Sequence, residues 1–239
     1  MFWGFLLAAC VGQEASVPPQ SATVISLPSG HPPAPPAECV ALNVEPTPDA
    51  TLSVYFPPPA AADWRIGVQD AAVTFIMYGD FQCPYCAQLY PVLLRLQQDF
   101  PNDVRVVFRH IPLASHDKAV LAAQAAEAAG KQGRFFEMAE KLFAEQTQWA
   151  ELAPEQFSGW LDNTAAAIGL DAAQFQRDLN SPEVTRRVSE AKQAVEYLIP
   201  GTPFLLINGE PYINRPRNYE SLATIVEFIR FQKRQFTEC

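Results

Sequence analysis

Residues 72–86 read Ala72-Val73-Thr74-Phe75-Ile76-Met77-Tyr78-Gly79-Asp80-Phe81-Gln82-Cys83-Pro84-Tyr85-Cys86. The run from Ala72 to Tyr78 is apolar, β-branched or aromatic and is bounded by Asp70 and Gly79, the pattern of a buried central strand. From Cys83 the pattern changes to a helix. Leu89, Val92, Leu93, Leu96 and Phe100 fall at helical spacing, Pro84 suits the first helical position and Pro101 closes the segment. Pro91 predicts a kink in this helix. A second strand, Val104 to Arg109, completes a βαβ unit whose strands run parallel through a right-handed crossover.

Outward from that unit, residues 116–199 carry Ala-rich helical runs punctuated by Gly130, Gly133, Pro154, Gly169 and Pro182, which predicts an insert of four or five helices spanning about 114–199. Phe204-Leu205-Leu206-Ile207 then meets Asn208-Gly209, a favoured type I′ hairpin turn, and Tyr212-Ile213 resumes the strand. Pro211 marks that strand as a sheet edge. Asn218 to about Gln232 is amphipathic through Leu222, Ile225, Val226 and Ile229, so the chain closes on a helix. The order βαβ, helical block, ββα gives an α/β fold with an inserted helical domain.

Composition divides the chain. Residues 1–62 hold 12 of its 22 prolines, four acidic residues and no Lys or Arg. The stretch 11–62 therefore reads as a Pro-rich linker favouring polyproline II, with two apolar patches, Thr23–Leu27 and Leu52–Phe56, able to dock. Ahead of it, residues 1–10 are nearly all apolar and end Leu7-Ala8-Ala9-Cys10. Ten residues are too few to span a bilayer, so they read as the end of an export signal. Leu-Ala-Ala-Cys resembles the lipobox of bacterial lipoproteins, which makes Cys10 a lipid anchor and the linker extracytoplasmic. No basic residue stands before the apolar stretch, which points to a start codon further upstream. The formal charge of -9 disfavours nucleic acid, which is held by a surplus of Lys and Arg.

The chemistry lies in Cys83-Pro84-Tyr85-Cys86. A cysteine at a helix N-terminus meets unpaired amide N–H groups and the positive end of the macrodipole, both of which favour thiolate, so Cys83 is the expected nucleophile. Cys86 lies one turn further in, placed to close a disulfide with Cys83 or to resolve a mixed disulfide. A zinc site would need two more ligands, and Cys39, Cys239 and His31 lack a neighbouring second ligand, so neither metal nor cofactor is expected beyond the redox-active Cys83–Cys86 pair. Asp80 reads as a solvated turn residue, His116-Asp117 as a helix start and His110 as the end of a strand. Phe135, Phe136, Trp149 and Trp160 read as core of the insert.

Asp80-Phe81-Gln82-Cys83-Pro84-Tyr85-Cys86 after a strand, with Gly201-Thr202-Pro203 before the hairpin, resembles the DsbA-like thiol:disulfide oxidoreductases of the thioredoxin superfamily, over residues 63–239. The resemblance implies a thioredoxin fold, a central mixed sheet flanked by helices and interrupted by a helical domain. It makes Pro203 a cis-proline facing the sulfurs, with Thr202 and Pro203 offering backbone groups to an extended substrate. Pro84 and Tyr85, the dipeptide between the cysteines, then set the redox poise. Met77 stands where many relatives carry a buried glutamate, and a thioether cannot relay a proton. If Cys10 is lipidated and Cys83 pairs with Cys86, Cys39 and Cys239 remain, either bridged or as free thiols.

The function implied is oxidation of cysteine pairs in exported proteins, with a membrane redox partner for recycling. The same site could instead serve a reductase or isomerase, or the fold a lipoprotein that binds without catalysis.

Overall fold

The computed structural model describes residues 54–237. Cys10, His31, Cys39, Cys239, the Thr23–Leu27 patch and most of the linker lie outside the described residues. The described chain runs β1 (Trp64–Ile66), β2 (Val73–Gly79), α1 (Pro84–Asp99), β3 (Val104–His110), α2 (Ala119–Gly130), α3 (Phe135–Ala144), α4 (Gln146–Trp149), α5 (Pro154–Ala167), α6 (Ala172–Leu179), α7 (Pro182–Gln193), β4 (Phe204–Ile207), β5 (Glu210–Pro211) and α8 (Tyr219–Thr237).

The strands form one mixed five-stranded sheet in the order β1-β3-β2-β4-β5. β2 and β3 pair in parallel with Val73 beside Val104 and Gly79 beside His110, as a βαβ crossover requires. β4 runs antiparallel to β2, and β5 to β4. Every residue of β2 is buried, and its alternation divides the core. Val73, Phe75 and Met77 face a cluster with α1 and the inserted helices, whereas Ile76 and Tyr78 face a second cluster with Val107, Val195, Ile199, Phe204 and Leu206.

Several elements depart from the sequence expectation. The insert has six helices because the four-residue α4 is too short to show a period. Asn208 and Gly209 have φ of 51° and 89°, the left-handed pair of a type I′ turn, so the return strand starts at once as Glu210–Pro211 rather than at Tyr212. It lies at the sheet edge, where Pro211 is tolerated. β1 was not expected at all.

The linker expected to reach residue 62 yields earlier to packed chain. Phe56 is buried, stacking on Phe204 at 5.4 Å and meeting Tyr78 edge-on at 5.9 Å. Arg109 donates to the Pro57 and Pro58 carbonyls at 2.8 and 3.1 Å and forms a bidentate pair with Asp63. Extended prolines leave their carbonyls free of local hydrogen bonds, so this strap can satisfy a cation on β3. No strand forms in residues 54–56.

Next to this strap, buried Glu127 on α2 accepts from Trp64 Nε1 at 2.8 Å, lies 2.9 Å from His110 Nε2 and pairs with Arg187 at 2.6 Å. Burial pushes the Glu127 carboxyl up, but His110 and Arg187 together hold it below the usual range. His110 thus ends β3 as expected, as a buried ring within an ionic network. Phe135 and Trp149 are fully buried, and Phe136 and Trp160 pack against the same core.

Candidate active site

α1 begins where the sequence placed it. Cys83 is the N-cap, in extended conformation (φ -76°, ψ 120°), and Pro84 takes the first turn. Proline loses nothing there, since the first helical amides have no partner within the helix. Cys83 is 3% exposed and Cys86 fully buried, both as free thiols. Tyr85 projects outward, 66% exposed.

The two thiols are driven apart electrostatically. The Cys86 S–H bonds to the Cys83 sulfur and is the largest influence favouring its thiolate. Burial opposes this, while Thr202 and the Cys86 and Tyr85 backbone amides add to it, leaving Cys83 at about 6. Burial drives Cys86 the other way, far above an ordinary thiol, and the neighbouring Cys83 charge reinforces the shift. The site therefore holds one reactive thiolate and one protonated thiol.

The Thr202–Pro203 peptide bond is cis. It brings the Thr202 carbonyl to 3.3 Å from Cys83 Sγ, where the thiol can donate to it. The buried Thr202 side chain lies on the same side and favours the Cys83 thiolate. A groove of about 600 Å³ runs beside this point, walled by Tyr85, Leu89 and Val92 of α1, by Thr202 and Pro203, and by Arg217. Cys83, Cys86, Pro84, Tyr85, Thr202 and Pro203 are thus brought to one place.

Asp80 differs from its expected role. Rather than solvated, it is 2% exposed. Its carboxylate accepts from the Gln82 amide at 2.7 Å and the Leu113 amide at 2.8 Å, and lies 2.7 Å from His116 Nδ1. Its own N–H points to Cys86 Sγ at 3.5 Å, and its carbonyl accepts from the Cys83 amide at 3.1 Å. His116 is therefore the partner of the active-site turn, not a helix cap. Gln146 of α4 completes the support, donating to the Phe81 carbonyl at 2.7 Å and the Cys83 carbonyl at 3.1 Å. Nothing local to Gln146 signals this.

Met77 is fully buried, in the same core cluster as Cys86. Among the described residues, no group of three or more His, Cys, Asp or Glu side chains is placed to hold a metal ion.

Residues 60–227 match the family model described as thioredoxin. The chain belongs to the thioredoxin family. Among solved structures it resembles a thioredoxin-like oxidoreductase from Silicibacter pomeroyi, with TM-score 0.58 and 25% identity, over 74% of this chain and 96% of that one. It also resembles alpha-DsbA1 from Wolbachia pipientis, with TM-score 0.64 and 19% identity over 75% and 96% of the two chains. BdbD from Bacillus subtilis, in its oxidised form, matches with TM-score 0.59 and 24% identity over 69% and 91%. The last two speak to the fold: a thioredoxin fold of the DsbA-like kind, with helices inserted between β3 and β4.

The curated relatives have a different name. A Na(+)/H(+) antiporter NhaA 1 from Salinispora arenicola is 38% identical over 162 residues, 67% of this chain and 24% of the relative. One of the same name from Mycolicibacterium gilvum is 37% identical over 150 residues, 60% and 23% of the two. The thioredoxin-family chain thus spans about a quarter of the length of these relatives. Among its described residues no helix is long and apolar enough to cross a membrane.

Proposed function

We propose that this chain is an extracytoplasmic thiol:disulfide oxidoreductase that oxidises cysteine pairs of exported proteins. The observation that carries the reading is Cys83, a nucleophile held at about 6 at a helix N-terminus, over a buried thiol and against the cis Thr202–Pro203 bond.

The geometry suits the following exchange. In the oxidised enzyme a substrate thiolate attacks Cys83 Sγ, forming a mixed disulfide while the Cys83–Cys86 bond breaks and Cys86 leaves with the electron pair. Asp80 N–H faces the departing sulfur, and the sulfur's raised pKa makes it take up a proton. A second substrate thiolate then attacks the substrate sulfur and expels Cys83 as thiolate. Substrate loses two electrons and the enzyme pair gains them. A good leaving group at Cys83 speeds this last step and stabilises the reduced enzyme, so the direction is oxidising. A membrane partner of disulfide or quinone chemistry would then remove the two electrons. Export and the Cys10 lipid anchor would place the enzyme on the outer face of the membrane, where protein disulfides persist.

Equilibrium titration of the Cys83–Cys86 pair against glutathione tests the direction. An oxidase should stand well above thioredoxin's potential of about -270 mV, towards the -120 mV of strong oxidants. A value near thioredoxin's would assign the same site to a reductase. Cys83→Ala retaining full activity in cells would leave a binding role alone.

A further inference from the structure

The groove beside Cys83 has one charged wall residue, Arg217. On a chain of net charge -9, a cation there is not part of a generally basic surface. Six other arginines each hold a carboxylate of this chain. Among the described residues Arg217 holds none, nor does any carboxylate line the groove. The guanidinium is instead fixed by carbonyls, Nη1 donating to Pro203 at 2.8 Å and Nη2 to Tyr212 at 3.5 Å. These bonds use part of a five-donor fork and leave the rest for a ligand. Exposed Arg215, over the Tyr212 ring at 5.7 Å, extends the positive character of this side.

Two successive carbonyls connect this cation to the chemistry, since Thr202 O faces Cys83 Sγ at 3.3 Å and Pro203 O faces Arg217. An extended peptide rises about 3.3 Å per residue, so the guanidinium lies within about three residues of a bound substrate cysteine. Opposite it, Tyr85, Leu89 and Val92 offer an apolar wall.

We propose that the groove selects reduced polypeptide segments carrying Asp or Glu within about three residues of the reactive cysteine, with that carboxylate on Arg217 and an apolar side chain against Tyr85 and Val92. The selection has a chemical use. A carboxylate beside a cysteine disfavours its thiolate and slows its attack, and pairing with Arg217 removes that handicap at the moment of reaction. The inference rests on the oxidoreductase reading above.

The test compares two dithiol peptides that differ only in Asp or Lys two residues from the first cysteine. Each is oxidised by the full chain in its disulfide form, with rates normalised to those with oxidised glutathione. The Asp peptide should react about fivefold faster at low ionic strength, with the ratio shrinking as salt is added. Arg217→Gln should bring the ratio to about one and Arg217→Glu should invert it. The comparison in the unaltered protein stands even if a variant fails to fold. Equal normalised rates, or a ratio unchanged in Arg217→Gln, overturns the inference and leaves the oxidoreductase reading standing. Failure to oxidise either peptide or dithiothreitol removes that reading and the inference together.

Discussion

At pH 7 a thiol with a value of about 6 is ionised roughly ten to one, so Cys83 is reactive where an ordinary cysteine is mostly protonated. Alkylation of the reduced protein by iodoacetamide should therefore rise through a midpoint near pH 6 and level off above it. Cys86→Ala should move that midpoint upward, because the Cys86 S–H is the largest influence holding it down. A midpoint at or above about 8.5, the unperturbed thiol value, would contradict the site's electrostatics. Stability has a matching signature. The Cys83 value is lower in the fold than in the unfolded chain, so its contribution is complete above about pH 8.5 and lost as pH falls through 6. Cys86 is raised, so its contribution is present below about pH 8.5 and lost at higher pH. The urea midpoint of the reduced protein should rise between pH 6 and 8, a trend absent from the disulfide form. These two residues were legible in the sequence because their chemistry is local: a CxxC opening a helix after a strand. Asp80 was not. An acidic residue in a turn is solvated by default, and what buries this one are Leu113 and His116, delivered by the chain beyond β3.

Among elements, the long periodic ones were readable and two of the short ones were not. β1 has three residues and α4 four, each below the length at which a period shows. β1 exists because its partners exist: Trp64 stacks on Phe135 at 4.5 Å and donates to Glu127. Gly130 makes room for it, since a Cβ there would sit 2.3 Å from Trp64 Cζ2. Gly130→Ala should thus displace the indole, break its bond to Glu127 and loosen β1 from α2. The helix propensity of alanine would return about 1 kcal/mol, against about 1–3 kcal/mol for overpacking and a further 1–3 for the disturbed buried carboxylate. A net loss of about 1–5 kcal/mol in urea unfolding is expected, with reduced amide protection in residues 64–66. An unchanged or higher midpoint would show that the ring is not held there.

For the molecule as a whole, the composition change near residue 62 marks where proline density falls, not where packing begins. Composition misses this because Pro57-Pro58-Pro59 resembles linker, whereas their carbonyls serve Arg109 and the preceding Phe56 enters the second core cluster. That cluster covers the face of β2 opposite the active-site helix, so removing the strap bares Tyr78, Ile76 and Phe204 together. A soluble domain starting at residue 54 should exceed one starting at 63 by about 3–4 kcal/mol in urea unfolding. Burial of the Phe56 ring contributes roughly 2–3 kcal/mol, and the two Arg109 bonds about 1 kcal/mol in total, after discounting for their partial exposure. Phe56→Ala in the longer domain should lose most of this difference, which assigns it to the ring rather than to chain length. The Cys83 alkylation midpoint should be the same in both domains, because the strap lies across the sheet from the sulfurs. Equal urea midpoints for the two domains would return residues 54–62 to the linker.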